Sequence, residues 1–204
     1  MKIIILGMGS AALSIADILT NEYNYEIAGF VGTKEEDIKF HGKEIYRDFR
    51  FLGDRSIMKN LINQKVGGFI VAIGDRYVRE EAYYQACSEG LVPINAISKN
   101  AFLENNIKIG SGVVISSGCI IQHGVTIGDN CFLASGSIFD FKSSIAENCN
   151  ISAGCIIGSN TKIEKNVLIG ARAIITPKIL IGKNQNVESN ILVNKNLPGL
   201  LRKQ

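Results

Sequence analysis

The chain has 204 residues, of which 46% are apolar and 20% charged, and its net charge is +3. This balance excludes a disordered chain, and the length gives room for one or two domains with their own cores. Lysine and arginine are scattered without a basic run, which argues against nucleic acid as a partner, and no apolar stretch approaches the length of a membrane span.

The first twenty residues, "MKIIILGMGSAALSIADILT", have some features of a secretory leader. The apolar run is short, however, and Asp17 falls inside the continuing pattern, so the segment reads instead as the first strand and helix of a domain. From there strands and helices alternate. "KIIILGMG" is a buried strand entering a glycine turn, and "SAALSIADILTNE" has helical apolar spacing. "YEIAGFVG" is a second strand, "SIMKNLINQK" a helix, "GGFIVAIGD" a strand, "YVREEAYYQACSEG" a helix ending at Gly90, and "LVPINAI" a last strand. This order predicts an α/β, Rossmann-like domain over residues 1–95 with a small parallel sheet.

From residue 96 to 204 the pattern changes. Every sixth residue from Ile97 to Val193 is aliphatic except Phe139, seventeen positions in one unbroken register. Four residues after each comes a mostly small set, including Val113, Cys119, Val125, Cys131, Ser137, Ser143, Cys149, Cys155, Thr161, Val167 and Ala173. A period of this kind predicts a β-solenoid in which three hexads close a triangular coil of 18 residues. The aliphatic residue points inward and the small residue fits a corner. Glycine follows the aliphatic at positions 110, 128, 158, 170 and 182, where it is expected to relieve the turning backbone. Four of the five cysteines occupy the small inward position and read as core filler. None of the five sits in a paired motif, which suggests reduced thiols and a cytoplasmic protein.

The [Ile/Leu/Val]-Gly-x4 pattern resembles the hexapeptide repeat of left-handed parallel β-helix acyltransferases. With "GMGSAAL" and a short α/β domain ahead of it, the chain resembles the sugar O-/N-acyltransferases of the PglD/NeuD type over residues 2 to about 200. The resemblance implies a homotrimer that takes acetyl-CoA, needs no metal, and acetylates a nucleotide-linked amino sugar for surface glycans such as lipopolysaccharide or O-antigen. A nucleotide-amino-sugar N-acetyltransferase of the VioB type fits best. A sialic acid O-acetyltransferase and a non-catalytic nucleotide-sugar-binding trimer are the alternatives.

His123, in "CIIQHGVTIGDN", is one of two histidines. It is the third residue of its hexad and so stands off the inward stack. An imidazole of ordinary pKa is suited to take the proton of an attacking amine. On the resemblance His123 is the general base; taken alone, such a histidine is more often structural or merely exposed. His41 has no motif and reads as surface. Several N-acetyltransferases of this type carry glutamate after the histidine, and many members a second histidine nine residues on; here Gly124 and Phe132 stand there. Asp140 and Glu147 are candidate acid partners. The segment "SIFDFKSSI" either shapes the acceptor pocket or forms an irregular coil.

Glycines in "GMGSAA" let backbone amides approach a phosphate at a helix N-terminus. An NAD site would place an acid at the end of the second strand; "FVGTKEED" has Gly32 and Thr33 there. The resemblance assigns this crevice to the nucleotide sugar, with Gly9, Ser10, Ala11, Gly32, Thr33, Ala72, Ile73, Gly74 and Asp75 as contacts. It assigns Phe132, Ala153 and Ala171 to acetyl-CoA, in a groove between subunits. Arg172 and Lys178 either meet its phosphates or remain solvated.

Overall fold

A computed structural model of the protein describes residues 1–33, 35 and 50–201, and His41 lies outside them. The chain divides into two compact units, Met1–Ala96 and Ile97–Gln204.

The first unit holds a five-stranded parallel sheet in the order β3-β2-β1-β4-β5. Its strands are β1 (Lys2–Leu6), β2 (Glu26–Val31), β3 (Phe51–Gly53), β4 (Val66–Val71) and β5 (Val92–Pro93). β1 and β4 are near-continuous apolar runs, as strands covered on both faces must be. Helix α1 (Ser10–Asp17) runs on into a π-helical turn, Ile18–Glu22. Helices α2 (Met58–Asn63) and α3 (Arg76–Ser88) bury Met58, Leu61, Ala82, Tyr83 and Ala86 against Phe69 and Val71 of β4. The Phe69 and Tyr83 rings meet edge to face at 5.5 Å.

Two local differences from the expected elements have simple causes. β3 is a three-residue edge strand with no fully buried residue, so it leaves no periodic signal. "LVPINAI" is two strands. Val92–Pro93 joins the sheet at its edge, where proline's missing N–H costs no ladder bond, and Ala96–Ile97 opens the solenoid.

The solenoid consists of strands β6 to β22, each of two residues, repeating every six from Ala96–Ile97 to Leu192–Val193. They stack in three parallel sheets: β6, β9, β12, β15, β18 and β21 (first); β7, β10, β13, β16, β19 and β22 (second); β8, β11, β14, β17 and β20 (third). Partners are 18 residues apart, as with Ile120 and Ile138. The inward aliphatics and the small corner residues are buried together in one core from Val113 to Val193.

The small inward residues also donate hydrogen bonds. Cys131, Cys149 and Cys155 each send a thiol to a carbonyl fifteen residues on, at 3.0, 3.1 and 3.1 Å. Ser137 and Thr161 do the same with hydroxyls, at 3.0 and 3.1 Å. These carbonyls lie at coil corners, outside the strand ladders.

Each hexad from Asn106 to Asn190 turns through a left-handed residue three places after its aliphatic, and that residue is Asn, Gly, Lys or Arg. At one corner the asparagines form a buried ladder: Asn130 donates to Asn148 at 2.9 Å, and Asn148 to Asn166 at 2.6 Å. The glycines directly after the aliphatics serve a different purpose from the turn relief expected of them. Their φ angles are not positive, but the backbone of the next coil passes so close that a Cβ on Gly128 would lie 2.6 Å from the Glu147 nitrogen.

Candidate functional site

The chain passes from first to second to third sheet in every coil, so each sheet has two corner edges. His123 follows β10 (Ile120–Ile121) and stands on the corner between the second and third sheets. Its column, at 18-residue intervals, holds Asn105, Phe141, Ser159 and Pro177. The imidazole is half-buried. Asn106, from the coil before, places its side-chain amide nitrogen 3.3 Å from Nε2. Phe141, from the coil after, lays its ring 6.0 Å from the imidazole, 17° from parallel. The Lys142 ammonium stands 4.9 Å from the centre of the Phe141 ring.

Carboxylates near this corner have other work. Glu104 accepts the backbone N–H of His123 at 2.8 Å rather than a ring nitrogen, and Glu164 holds the Lys183 N–H in the same way. Asp140 accepts the Phe141 N–H at 2.7 Å. Glu147 follows the third sheet, on a different corner, and pairs with Lys165 at 3.5 Å. Neither acid proposed from sequence is thus placed as the imidazole's partner. Gly124 is the left-handed residue of its hexad, with φ of 75°, and a Cβ there would meet Lys142 Cγ at 3.1 Å. The left-handed turn takes glycine without strain, and other hexads fill the same place with Asn, Lys or Arg. "SIFDFKSSI" is no irregular coil: Phe139 and Ser143 are both buried in register.

Phe141, Asn106 and Glu104 are the residues that sequence reading missed here. The 18-residue period would have found Phe141.

Ala153 and Ala171 occupy one corner, a single coil apart, between the first and second sheets. Arg172, which donates its N–H to Ala153 O at 2.9 Å, is exposed beside them. Phe132 faces outward from β12 of the first sheet and is half-buried. Between the His123 corner and the alanine corner runs the outer face of the second sheet. It carries Phe102, Ile120, Ile138, Ile156, Ile174 and Leu192, all apolar and none buried. The third sheet presents Lys108, Thr126, Ser144, Lys162 and Leu180.

In the α/β unit, strand order reverses between β1 and β4, the position where open sheets bind ligands beyond the carboxyl ends of their strands. A cavity of about 510 Å³ opens at that end. Gly32, Thr33 and Ile73 line it, together with Asp54, Arg55 and Ser56 after β3. Gly9, Ser10 and Ala11 sit at the start of α1, outside this lining. Ala72 is buried, and Gly74 is exposed beside it. Asp75 caps α3, accepting the N–H groups of Tyr77 and Val78 at 2.9 Å each. Asp54, Arg55 and Ser56 were missed because the short strand before them is silent in the sequence. Among the described residues no group of three or more His, Cys, Asp or Glu is placed to hold a metal ion, and no helix is long and apolar enough to cross a membrane.

Comparison with known proteins fits this division. Residues 2–86 match the PglD N-terminal domain. Residues 99–140 match the bacterial transferase hexapeptide (six repeats), and 160–195 the hexapeptide repeat of succinyl-transferase. No curated protein sequence matches. Among solved structures, the acetyltransferase domain of PglB from Neisseria gonorrhoeae superposes with a TM-score of 0.85 at 19% identity, covering 97% of this chain and 93% of that one. WeeI from Acinetobacter baumannii gives 0.81 at 18% identity, with 98% and 94% covered. PerB from Caulobacter crescentus, solved with CoA and GDP-perosamine, gives 0.73 at 24% identity, with 98% and 92% covered. These likenesses show the fold, a Rossmann-like domain followed by a left-handed parallel β-helix.

Proposed function

We propose that this chain, which joins a PglD N-terminal domain to a hexapeptide-repeat transferase domain, is an acetyl-CoA-dependent N-acetyltransferase. Its acceptor is the amine of a nucleotide-linked 4-amino-4,6-dideoxy sugar, TDP- or UDP-linked, made in the cytoplasm for surface glycans. PerB, with 24% identity, was solved with CoA and a nucleotide-linked amino sugar, which supports this substrate class.

The observation that carries the reading is the His123 corner. A half-buried imidazole there has Nε2 3.3 Å from the Asn106 side-chain amide nitrogen, which can only donate, so Nε2 carries the lone pair and takes a proton when that contact opens. The acceptor amine attacks the thioester carbonyl carbon, and a C–N bond forms. His123 Nε2 takes the amine's proton, the C–S bond breaks, and the thiolate of CoA leaves, taking that proton from the imidazolium. Thioesters are already activated, so no enzyme-bound acyl intermediate is needed. Gly32, Thr33 and Ile73, in the cavity with Asp54, Arg55 and Ser56, bind the nucleotide.

The apolar outer face of the second sheet supports a homotrimer. Three such faces packed about one axis would place the His123 corner of one subunit beside the Ala153 and Ala171 corner of its neighbour. Within one chain these two corners lie on opposite edges of the face. Acetyl-CoA then lies in the groove between subunits, against Phe132, Ala153 and Ala171, with Arg172 near its phosphates.

The test is acetyl-CoA turnover with UDP-, TDP- and GDP-linked amino sugars and with sialic acid. Turnover confined to an amino sugar is expected. Turnover only with sialic acid makes the protein an O-acetyltransferase. Nucleotide binding with no turnover makes it a non-catalytic binding trimer.

A further inference from the structure

We infer that Phe141 is a positioning residue that fixes the plane of the His123 imidazole. The inference rests on the reading of His123 as the base. A base needs its ring held in one orientation, and in many sites a carboxylate on the second nitrogen does this. Here the nearby acids have other partners, and Asp129, the nearest in sequence, accepts the Ser111 N–H at 2.8 Å. Glu104 binds the His123 backbone N–H, Asp140 the Phe141 N–H, and Glu147 stands on another corner with Lys165.

What faces the ring instead is an aromatic one coil away. Equivalent positions of successive coils stack in a β-helix, and 141 is 123 plus 18. The two rings are 6.0 Å apart and 17° from parallel. Such a near-parallel stack between flat rings has a preferred orientation. Phe141 is itself held. Asp140 fixes its backbone at 2.7 Å, and Lys142 N–H donates to His123 O at 3.1 Å, so the coils carrying the two rings are tied at this point. The Lys142 ammonium lies 4.9 Å from the Phe141 ring centre. Asn106 limits the imidazole from the coil below. Phe141 and Asn106 thus approach the ring from the coils on either side of it. Phe141 is 41% exposed and its ring is not part of the buried core.

The experiment uses the full chain with His41→Asn as background, which leaves His123 as the single histidine. Phe141→Leu and Phe141→Tyr are compared by the NMR signals of the His123 ring without substrate, by kcat, and by the KM for acetyl-CoA. Phe141→Leu is expected to move the ring signals and to lower kcat about 10- to 100-fold, the usual cost of a misplaced group, with the KM for acetyl-CoA unchanged. Phe141→Tyr, which keeps the ring, is expected to restore both. Unchanged kcat with unchanged ring signals in Phe141→Leu overturns the inference, as does a loss that Phe141→Tyr fails to rescue. Full activity in His123→Ala overturns the base assignment instead, whatever the ring signals show.

Discussion

Asn106 holds its side-chain nitrogen 3.3 Å from His123 Nε2, across one coil of the solenoid. The distance is long for a hydrogen bond, so Asn106 restrains the imidazole only weakly. Asn106→Ala should therefore lower kcat only about 3- to 10-fold, the equivalent of one ordinary hydrogen bond. His123→Ala should lower it about 10²- to 10⁴-fold, the usual share of a general base. Steady-state kinetics on both variants with saturating acetyl-CoA checks the contrast. Near-full activity in His123→Ala would point to deprotonation by the substrate or solvent.

Much of this was legible in the sequence because the solenoid has one register. Inward Ile121 and Ile127 fix the coil, and the coil puts His123 on a corner and Phe141 directly above it. Gly124 shows the limit of reading one residue by comparison. Beside a histidine it looks like a lost acid, but its φ of 75° makes it a turn residue. The N-terminal contacts were less legible. Asp75 in "AIGD", which the resemblance assigns to the nucleotide sugar, caps α3, a role its place in the sequence did not announce, while Arg55 lines the cavity after a strand too short to detect. Solenoid rungs repeat and can be counted; loops at strand ends depend on contacts far apart in sequence.

Ser137 and Ser143 occupy the same inward position one hexad apart and differ in their partners. Ser137 Oγ lies 2.9 Å from Ala134 O and 3.0 Å from Ser152 O. Ser143 Oγ is buried with no partner among the described residues. Ser137→Ala should destabilise by about 1 kcal/mol or somewhat more. Ser143→Ala should be neutral or stabilise by about 1 kcal/mol, because it removes an unsatisfied polar atom. Urea unfolding at one fixed protein concentration measures both, since an assembling chain would have a concentration-dependent midpoint.

The solenoid thiols should resist modification while the fold lasts. Cys119, Cys131, Cys149 and Cys155 are buried, and only Cys87 is half-exposed. Burial raises the pKa of Cys119 and Cys155 above the ordinary 9.0. In the unfolded chain these thiols ionise near 9.0, so between that value and the raised folded one the unfolded state binds fewer protons. Stability from this source is complete below pH 9.0 and falls as pH rises through the folded values. Titration with a disulfide reagent at pH 8 should find one reactive thiol per native chain and five after denaturation. An alkaline loss of stability that persists in a Cys119→Ala, Cys155→Ala variant would place its origin elsewhere.

Ile156 tests the assembly. It lies at the middle of the apolar outer face of the second sheet, 39% exposed, while its neighbour Ile157 points into the core. A charge at 156 costs the isolated coil little, because the side chain already meets water. In a trimer packed through that face the same charge would be buried without a partner, at a cost of several kcal/mol per subunit. Ile156→Glu should thus yield folded monomers by light scattering, with β-rich circular dichroism intact. It should also lose acetyl transfer, because the His123 and Ala153 corners of one chain face opposite edges of the stripe. A variant that remains trimeric and active would move the interface to the first or third sheet.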